Sequence, residues 1–259
     1  MEADAVRYLD WDSAFFGFPI AQMRVGRLDR AVLDRANEWC RAQDIRCLYF
    51  IADADDPSTT ELAERNGFDL VDVRLTLACQ IGSNRSMPPR VREWCDSDLP
   101  ALAAIARISH RDTRFYFDRQ FPNDRCDDLY ETWIRNSCAG FADAVFVADA
   151  GQPAGYITCH LDPDSEGRIG LVAVGPSFQG QGLGSAMVHA ALHWFAIKGV
   201  SRVTVVTQGR NTAAQTLYEK CGFRLASRQM YYHRWFLSTE RDESEDGSSG
   251  LLRASGDRE

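Results

Sequence analysis

Val174-Gly175-Pro176-Ser177-Phe178-Gln179-Gly180-Gln181-Gly182-Leu183-Gly184 is the stretch whose reading decides the fold. An apolar segment, Arg168–Val174, runs into a glycine-rich turn. The turn opens into a pattern in which Leu183, Met187, Ala191, Trp194 and Phe195 recur at helical spacing. Glycines admit positive φ and let a ligand approach the backbone. The first amides of a helix, at its positive dipole end, suit a phosphate or pyrophosphate. The Lys-Ser/Thr of a P-loop is missing, and hairpin signals upstream argue against a dinucleotide-binding sheet. Taken alone, the segment also reads as a plain turn between strand and helix.

Working outward, Gly199 can end that helix, Val203–Val206 is a buried strand, and Asn211 caps a second helix that stops at Gly222. Arg224–Phe236 is mostly extended. On the other side, Ala144–Ala148, Gly155–His160 and Arg168–Val174 read as three strands. Gly151-Gln152-Pro153 and Asp162-Pro163-Asp164 separate them as hairpin connections. Further upstream come a helix around Leu129–Cys138, a polar and aromatic stretch, and a helix capped by Asp96 or Ser97 and running towards Ser109. Arg90–Trp94 forms a short strand before it. The order predicts an α/β (α+β) protein with a mixed central sheet and one parallel crossover, between Arg168–Val174 and Val203–Val206.

Turn formers and a proline pair at Gly82–Pro89 break the pattern, which predicts a smaller N-terminal domain over 1–82, a linker over 83–89 and a larger domain over 90–237. Residues 238–259 hold seven acids, three arginines and only Leu251 and Leu252 as bulky apolar residues, so a disordered tail is expected. Sliding the chain on itself by 155 residues pairs Asp29–Leu77 with Gly184–Tyr232 without a gap. Ala31, Ala36, Trp39, Leu62, Glu64, Gly67, Phe68 and Leu70 fall on identical residues. Eight identities in 49 columns are weak alone, but the element order agrees as well. The favoured reading is a degenerate half of the complete domain, docked beside it; coincidence between two helix–strand–helix units is the alternative. The glycine loop is replaced in that half by Arg24–Asp29, so it should neither bind the ligand of the second half nor share its chemistry.

With 37 acidic and 29 basic residues the net charge is −8, and no basic stripe invites nucleic acid. Met1-Glu2-Ala3-Asp4 lacks the look of a secretory signal, and no apolar run approaches the ~18–20 residues of a membrane span. None of the eight cysteines forms a CxxC pair, and buried reduced thiols fit better than disulfides or zinc ligands. A cytoplasmic protein is expected, without membrane, nucleic acid or metal as partners.

Asn211 and Tyr218 are the second informative feature. Seven residues of helix turn about 700°, returning Tyr218 to within about 20° of the direction of Asn211. Both can face one ligand while Leu217 turns to the core with Phe223. The alternatives are a plain N-cap and a packing tyrosine.

Gln179-x-x-Gly182-x-Gly184 at a strand-to-helix junction resembles the acyl-CoA signature of the GNAT acetyltransferase superfamily, and the element order from Arg90 to Phe236 is similar to that family's whole fold. The resemblance implies acetyl-CoA as acyl donor. It implies main-chain contacts to pantetheine and thioester along Leu171, Val172, Ala173 and Val174, and a pyrophosphate wrapped by Gln179, Gly180, Gly182, Leu183, Gly184 and Ser185. It implies Asn211 beside the cofactor and Tyr218 as general acid for the departing thiolate. Leu9–Pro19, Thr113–Asp118, Leu129–Ile134, Arg168–Leu171 and Asn211–Ala214 further resemble WecD-type dTDP-fucosamine acetyltransferases. By that resemblance the acceptor is the 4-amino group of a nucleotide-linked deoxysugar, and a homodimer is an assembly to test. Arg114, Phe115, Tyr116 and His160 are the candidate acceptor residues. Cations among aromatic faces suit a diphosphate and a pyrimidine, though a solvated loop with packed rings reads equally well. No general base stands out, since His160 and Asp162 sit at a hairpin end where solvation is the ordinary fate. The competing class is a catalytically idle acyl-CoA sensor, which would need the loop but no acid at Tyr218.

Overall fold

The computed structural model describes residues 5–82, 86–162 and 166–236. The N-terminal part contains β1 (Val6–Tyr8), α1 (Asp10–Phe16), β2 (Ile20–Met23), α2 (Arg30–Ala42), β3 (Cys47–Asp53), α3 (Pro57–Arg65) and β4 (Asp69–Gln80). The rest contains β5 (Val91–Glu93), α4 (Leu99–Ser109), α5 (Arg114–Phe117), α6 (Asn123–Asn136), β6 (Ala144–Asp149), β7 (Pro153–Leu161) and β8 (Gly167–Val174). It ends with α7 (Leu183–Ile197), β9 (Arg202–Gln208), α8 (Thr212–Lys220) and β10 (Arg224–Trp235). The expected tail over 238–259 lies outside the described residues. No helix among the described residues is long and apolar enough to cross a membrane.

The 155-residue offset is written into these boundaries. Shifted by that amount, the first and last residues of β3, α3 and β4 land on those of β9, α8 and β10. Each half also holds one parallel strand pair closed by a helix: β2 with β3 across α2, and β8 with β9 across α7. All other pairings among the described residues are antiparallel.

The halves are joined more deeply than by docking side by side. The strand order is β1-β2-β3-β10-β4-β9-β8-β7-β6-β5, so the last strand of each half lies on the internal strand of the other. β10 runs against β3 from Gln229↔Asp53 to Trp235↔Cys47, and β4 runs against β9 from Arg74↔Gln208 to Gln80↔Arg202. Tyr232 of β10 is accordingly buried in the N-terminal core with Leu33, Phe50 and Phe68. Separating the halves would break three strand ladders, β3 with β10, β10 with β4 and β4 with β9.

Two further cores lie over the second half. One places α7 and α8 against β6–β9 through Met187, Phe195, Val203, Val205 and Phe223. The other brings α1, α4 and α6 together through Phe16, Leu102, Leu129 and Ile134. The start of α4 departs from the sequence reading: neither Asp96 nor Ser97 caps it. Asp98 instead accepts from the Cys95 amide at 2.9 Å and takes both ends of the Arg92 guanidinium, at 2.7 and 2.9 Å. Six of the cysteines are buried, while Cys95 is exposed.

A buried polar tie fixes β10 to the segment after α5. His233 Nδ1–H donates to Asp118 Oδ2 at 2.7 Å, and Trp235 Nε1–H donates to the same oxygen at 2.8 Å. Burial lowers the His233 pKa from 6.5 to about 4, outweighing the Asp118 partner. Between those values the unfolded chain binds a proton at His233 that the folded chain refuses. Its contribution is complete above about pH 6.5 and is lost as pH falls towards 4, a loss of about 2–3 kcal/mol. Urea unfolding at pH 7 and pH 4.5 is expected to show this drop, and His233→Gln should shrink it.

Candidate active site

The centre of the site is a gap opened in the sheet. β8 and β9 pair in parallel at Gly167↔Val203, Arg168↔Thr204 and Ile169↔Val205, and the pairing stops there. The cause lies on the other edge of β8, where the register against β7 shifts between Ile157↔Val172 and Cys159↔Ile169. Gly170 and Leu171 together oppose Thr158, a β-bulge that bends β8 away from β9. The Leu171 amide donates to Thr158 Oγ1 at 2.8 Å, so a side chain holds the bulge. Gly170 is required there, because a Cβ would lie 2.6 Å from both Thr158 Oγ1 and His160 Nε2.

Past the bulge, the Gly175 amide donates to the Ala154 carbonyl at 2.9 Å. Alternation along an antiparallel strand then directs Ala173 to β7 and turns Val172 and Val174 towards the gap. The expectation that the Ala173 amide would serve a ligand is thus corrected: its N–H belongs to the ladder with Tyr156. The amides facing the gap are those of Val172 and Val174. An extended ligand can pair with them as a missing strand would.

The glycine loop continues from the same strand. Pro176–Phe178 form a short 3-10 turn, Gln179 Nε2 donates to the Val174 carbonyl at 3.3 Å, and Gly182 stands at the N-cap of α7. Gly180 and Gly182 have φ of +75° and +76°, and nothing lies within 4 Å of where a Cβ would stand on either. Their requirement is backbone conformation, and the space above them is open to a ligand. The first intrahelical bond of α7 runs from the Ala186 amide to the Gly182 carbonyl at 3.0 Å. The amides of Leu183, Gly184 and Ser185 precede it, as an anion-binding helix start requires. These features fit an acyl-CoA, with a strand-like arm in the gap and a pyrophosphate over the loop.

On α8 the Asn211 side chain accepts from the Ala214 amide at 2.9 Å, so it is an N-cap. Tyr218 is only 5% exposed, while Leu217 is half-buried against Gly184. Both side chains pack against the core of α7, α8 and β9, Leu217 as expected and Tyr218 more deeply than expected. Burial, with the Cys221 thiol nearby, raises the Tyr218 pKa well above its ordinary value. The phenol therefore keeps its proton throughout the neutral range, the state that a proton donor needs.

Beside Gly170 and Leu171 opens a cleft of about 570 Å³. Trp11, Trp133 and Phe141 give it aromatic walls, Asn136 and Ser137 add polar groups, and His160 and Arg168 supply the titratable ones. Trp11 and Trp133 lie 6.3 Å apart although they come from α1 and α6. Of the expected acceptor residues, His160 lines this cleft. Phe115 does not: it is 1% exposed in the core between Phe16 and Phe121. Its ring is thereby removed from any dissolved ligand. Tyr116 is engaged by Asp127, to which its hydroxyl donates at 2.6 Å. The Arg114 guanidinium packs 4.0 Å from the Phe115 ring and 4.4 Å from the Tyr231 ring, with its buried Nε lacking a hydrogen-bond partner. None of Trp11, Trp133, Asn136, Ser137, Phe141 and Arg168 was named as a ligand contact, although the resemblance over Leu9–Pro19, Leu129–Ile134 and Arg168–Leu171 drew attention to the segments that carry Trp11, Trp133 and Arg168.

Comparison with known proteins agrees with this geometry. Residues 102–223 match the Acetyltransferase (GNAT) family. The chain is 28% identical over 234 residues to a dTDP-fucosamine acetyltransferase of Escherichia coli O6:H1, covering 89% of this chain and 98% of that protein. It is also 28% identical over 212 residues to a mycothiol acetyltransferase of Saccharopolyspora erythraea, covering 76% and 67%. Among solved structures, a GCN5-related N-acetyltransferase from Sphaerobacter thermophilus shares the fold, with a TM-score of 0.61 at 15% identity over 89% of this chain and 76% of that one. The sheet gap, the glycine loop and these matches together identify the chain as the carrier of a GNAT-family acetyltransferase domain, an enzyme that uses acetyl-CoA.

Proposed function

We propose that this enzyme moves the acetyl group of acetyl-CoA onto the 4-amino group of a nucleotide-linked deoxysugar, by direct attack in a ternary complex. The observation that carries this reading is the reach of the likeness to the dTDP-fucosamine acetyltransferase. It spans 98% of that protein and so takes in the N-terminal half, which contributes Trp11 to the cleft beside Leu171.

On this reading the gap along Leu171–Val174 takes the pantetheine arm, and the Val172 and Val174 amides polarise the thioester carbonyl. Gln179, Gly180 and Gly182 to Ser185 wrap the pyrophosphate. The aromatic walls of the cleft take the sugar and its pyrimidine, and Arg168 faces the diphosphate. The amine nitrogen forms a bond to the acetyl carbon, the carbon–sulfur bond breaks, Tyr218 gives its proton to the sulfur, and a proton lost from the nitrogen returns to the phenolate through water. Holding the two reactants side by side can itself lower the barrier by roughly 7–11 kcal/mol in ideal cases.

Incubation with acetyl-CoA and dTDP-4-amino-4,6-dideoxygalactose should yield a nucleotide sugar heavier by one acetyl group, with the amide at the sugar nitrogen. Acetylation of other amines in the absence of that product would remove the acceptor assignment.

A further inference from the structure

The reaction needs a group that takes a proton from the attacking nitrogen, and the cleft holds one candidate placed by the bulge of β8. His160, at the end of β7, lies beside Gly170 and is 7% exposed. Because residue 170 has no side chain, His160 Nε2 looks across the glycine into the cleft; a Cβ there would stand 2.6 Å from it. Thr158 Oγ1 lies 3.4 Å from the same nitrogen and is already the acceptor for the Leu171 amide at 2.8 Å. A hydroxyl oxygen has a second lone pair, so this contact leaves the tautomer to the other ring nitrogen, and Nε2 carries the lone pair when Nδ1 holds the proton. The Phe141 backbone accepts a hydrogen bond from the imidazole, which suits Nδ1–H. The Phe141 ring packs edge-on at 5.6 Å and closes the outer side.

We propose that His160 Nε2 is the base that takes the proton from the acceptor's ammonium group, an assignment that rests on the acetyl-transfer reading above. The ammonium gives one proton to Nε2, and the nitrogen lone pair freed by this step forms the bond to the acetyl carbon. The carbon–sulfur bond breaks, the sulfur takes the Tyr218 proton, and the second nitrogen proton returns to the phenolate through water. The product is an amide, a thiol and one proton left on His160 for the solvent.

The surroundings suit the role. Burial lowers the His160 pKa from its ordinary value, and Arg168 on β8 adds to the effect, while Asp143 before β6 and Asp162 after β7 oppose it. The ring is neutral at pH 7 and returns its proton to water after each turnover. The bulge that opens the sheet for the acyl group thus also clears the path to the base, so thioester and base meet at Gly170–Leu171.

The test compares methylamine, an ammonium ion at pH 7, with hydroxylamine, which is neutral there and needs no base before attack. His160→Gln should lower kcat with methylamine by about 10²-fold, the lower end for a lost general base, and leave hydroxylamine turnover within a factor of about 2. In the unaltered enzyme kcat with methylamine should level off once His160 is neutral, whereas in the variant it should keep rising with the fraction of neutral amine. That plateau tests the proposal even if the variant folds poorly. Equal losses with both amines, or none with either, would overturn it. Turnover of both small amines without turnover of dTDP-4-amino-4,6-dideoxygalactose removes the acceptor assignment alone, because the methylamine comparison still judges His160. Calorimetric binding of acetyl-CoA with no thiol release from any amine would end the acetyl-transfer reading and this proposal together.

Discussion

Tyr218→Phe is expected to lower kcat by about 10²–10⁴ while acetyl-CoA affinity stays nearly unchanged, the usual consequence of losing a general acid. The ring is packed 5.7 Å from Phe223 at the edge of the core formed by α7, α8 and β9. Phenylalanine preserves that contact, so the melting temperature should move by no more than ~2 °C. The raised pKa adds a second expectation: the donor holds its proton well past the neutral range, so no loss of activity at mildly alkaline pH should trace to Tyr218. A fall in kcat/KM matching that in kcat places the interaction in the transition state. Full activity in the folded variant would mean the thiolate leaves unaided or takes its proton elsewhere, and a collapse in melting temperature would return Tyr218 to a packing role.

Gly182→Val should weaken acetyl-CoA binding by about 10²-fold or more. Space is not the obstacle, since nothing lies within 4 Å of the position a Cβ would take. The obstacle is φ of +76°, where a β-branched residue costs on the order of 1–3 kcal/mol. The turn can escape that strain only by rotating the amides of Leu183, Gly184 and Ser185 away from the pyrophosphate. Because the loop is exposed, the cost falls on binding more than on the fold. Calorimetry with acetyl-CoA checks this, and an unchanged Kd in a folded Gly182→Val protein would detach the loop from the cofactor.

Much of the fold was legible because it is local. The helix of Leu183–Ile197, the Asn211 cap and the parallel crossover all follow from periodicity and turn residues near at hand. The repeat at 155 residues also carried real information, since β3, α3 and β4 recur as β9, α8 and β10. What escaped was long-range pairing. No local pattern says that β10 will choose β3 and β4 will choose β9, because both exchanges leave the inward and outward faces of the strands unchanged. The aromatic cleft escaped for the same reason: Trp11 and Trp133 meet only after α1 folds onto α6. The deep burial of Tyr218 has a different cause. Helical arithmetic placed Tyr218 under Asn211, but it could not say how deeply that side of α8 would sink into the core. Gly170 was read only as part of a strand, although its missing side chain shapes both the sheet gap and the approach to His160.

The account turns on acetyl transfer to an amino sugar, so its most direct test is the initial rate of thiol release from acetyl-CoA with two nucleotide sugars that differ at one atom. With dTDP-4-amino-4,6-dideoxygalactose the enzyme is predicted to release thiol at a saturable rate, in step with appearance of the N-acetyl product. With dTDP-fucose, which carries a hydroxyl where the amine stands, it is predicted to release none above the rate with acetyl-CoA alone. Equal release with both sugars, or none with the amino sugar from an enzyme that binds acetyl-CoA, would contradict it.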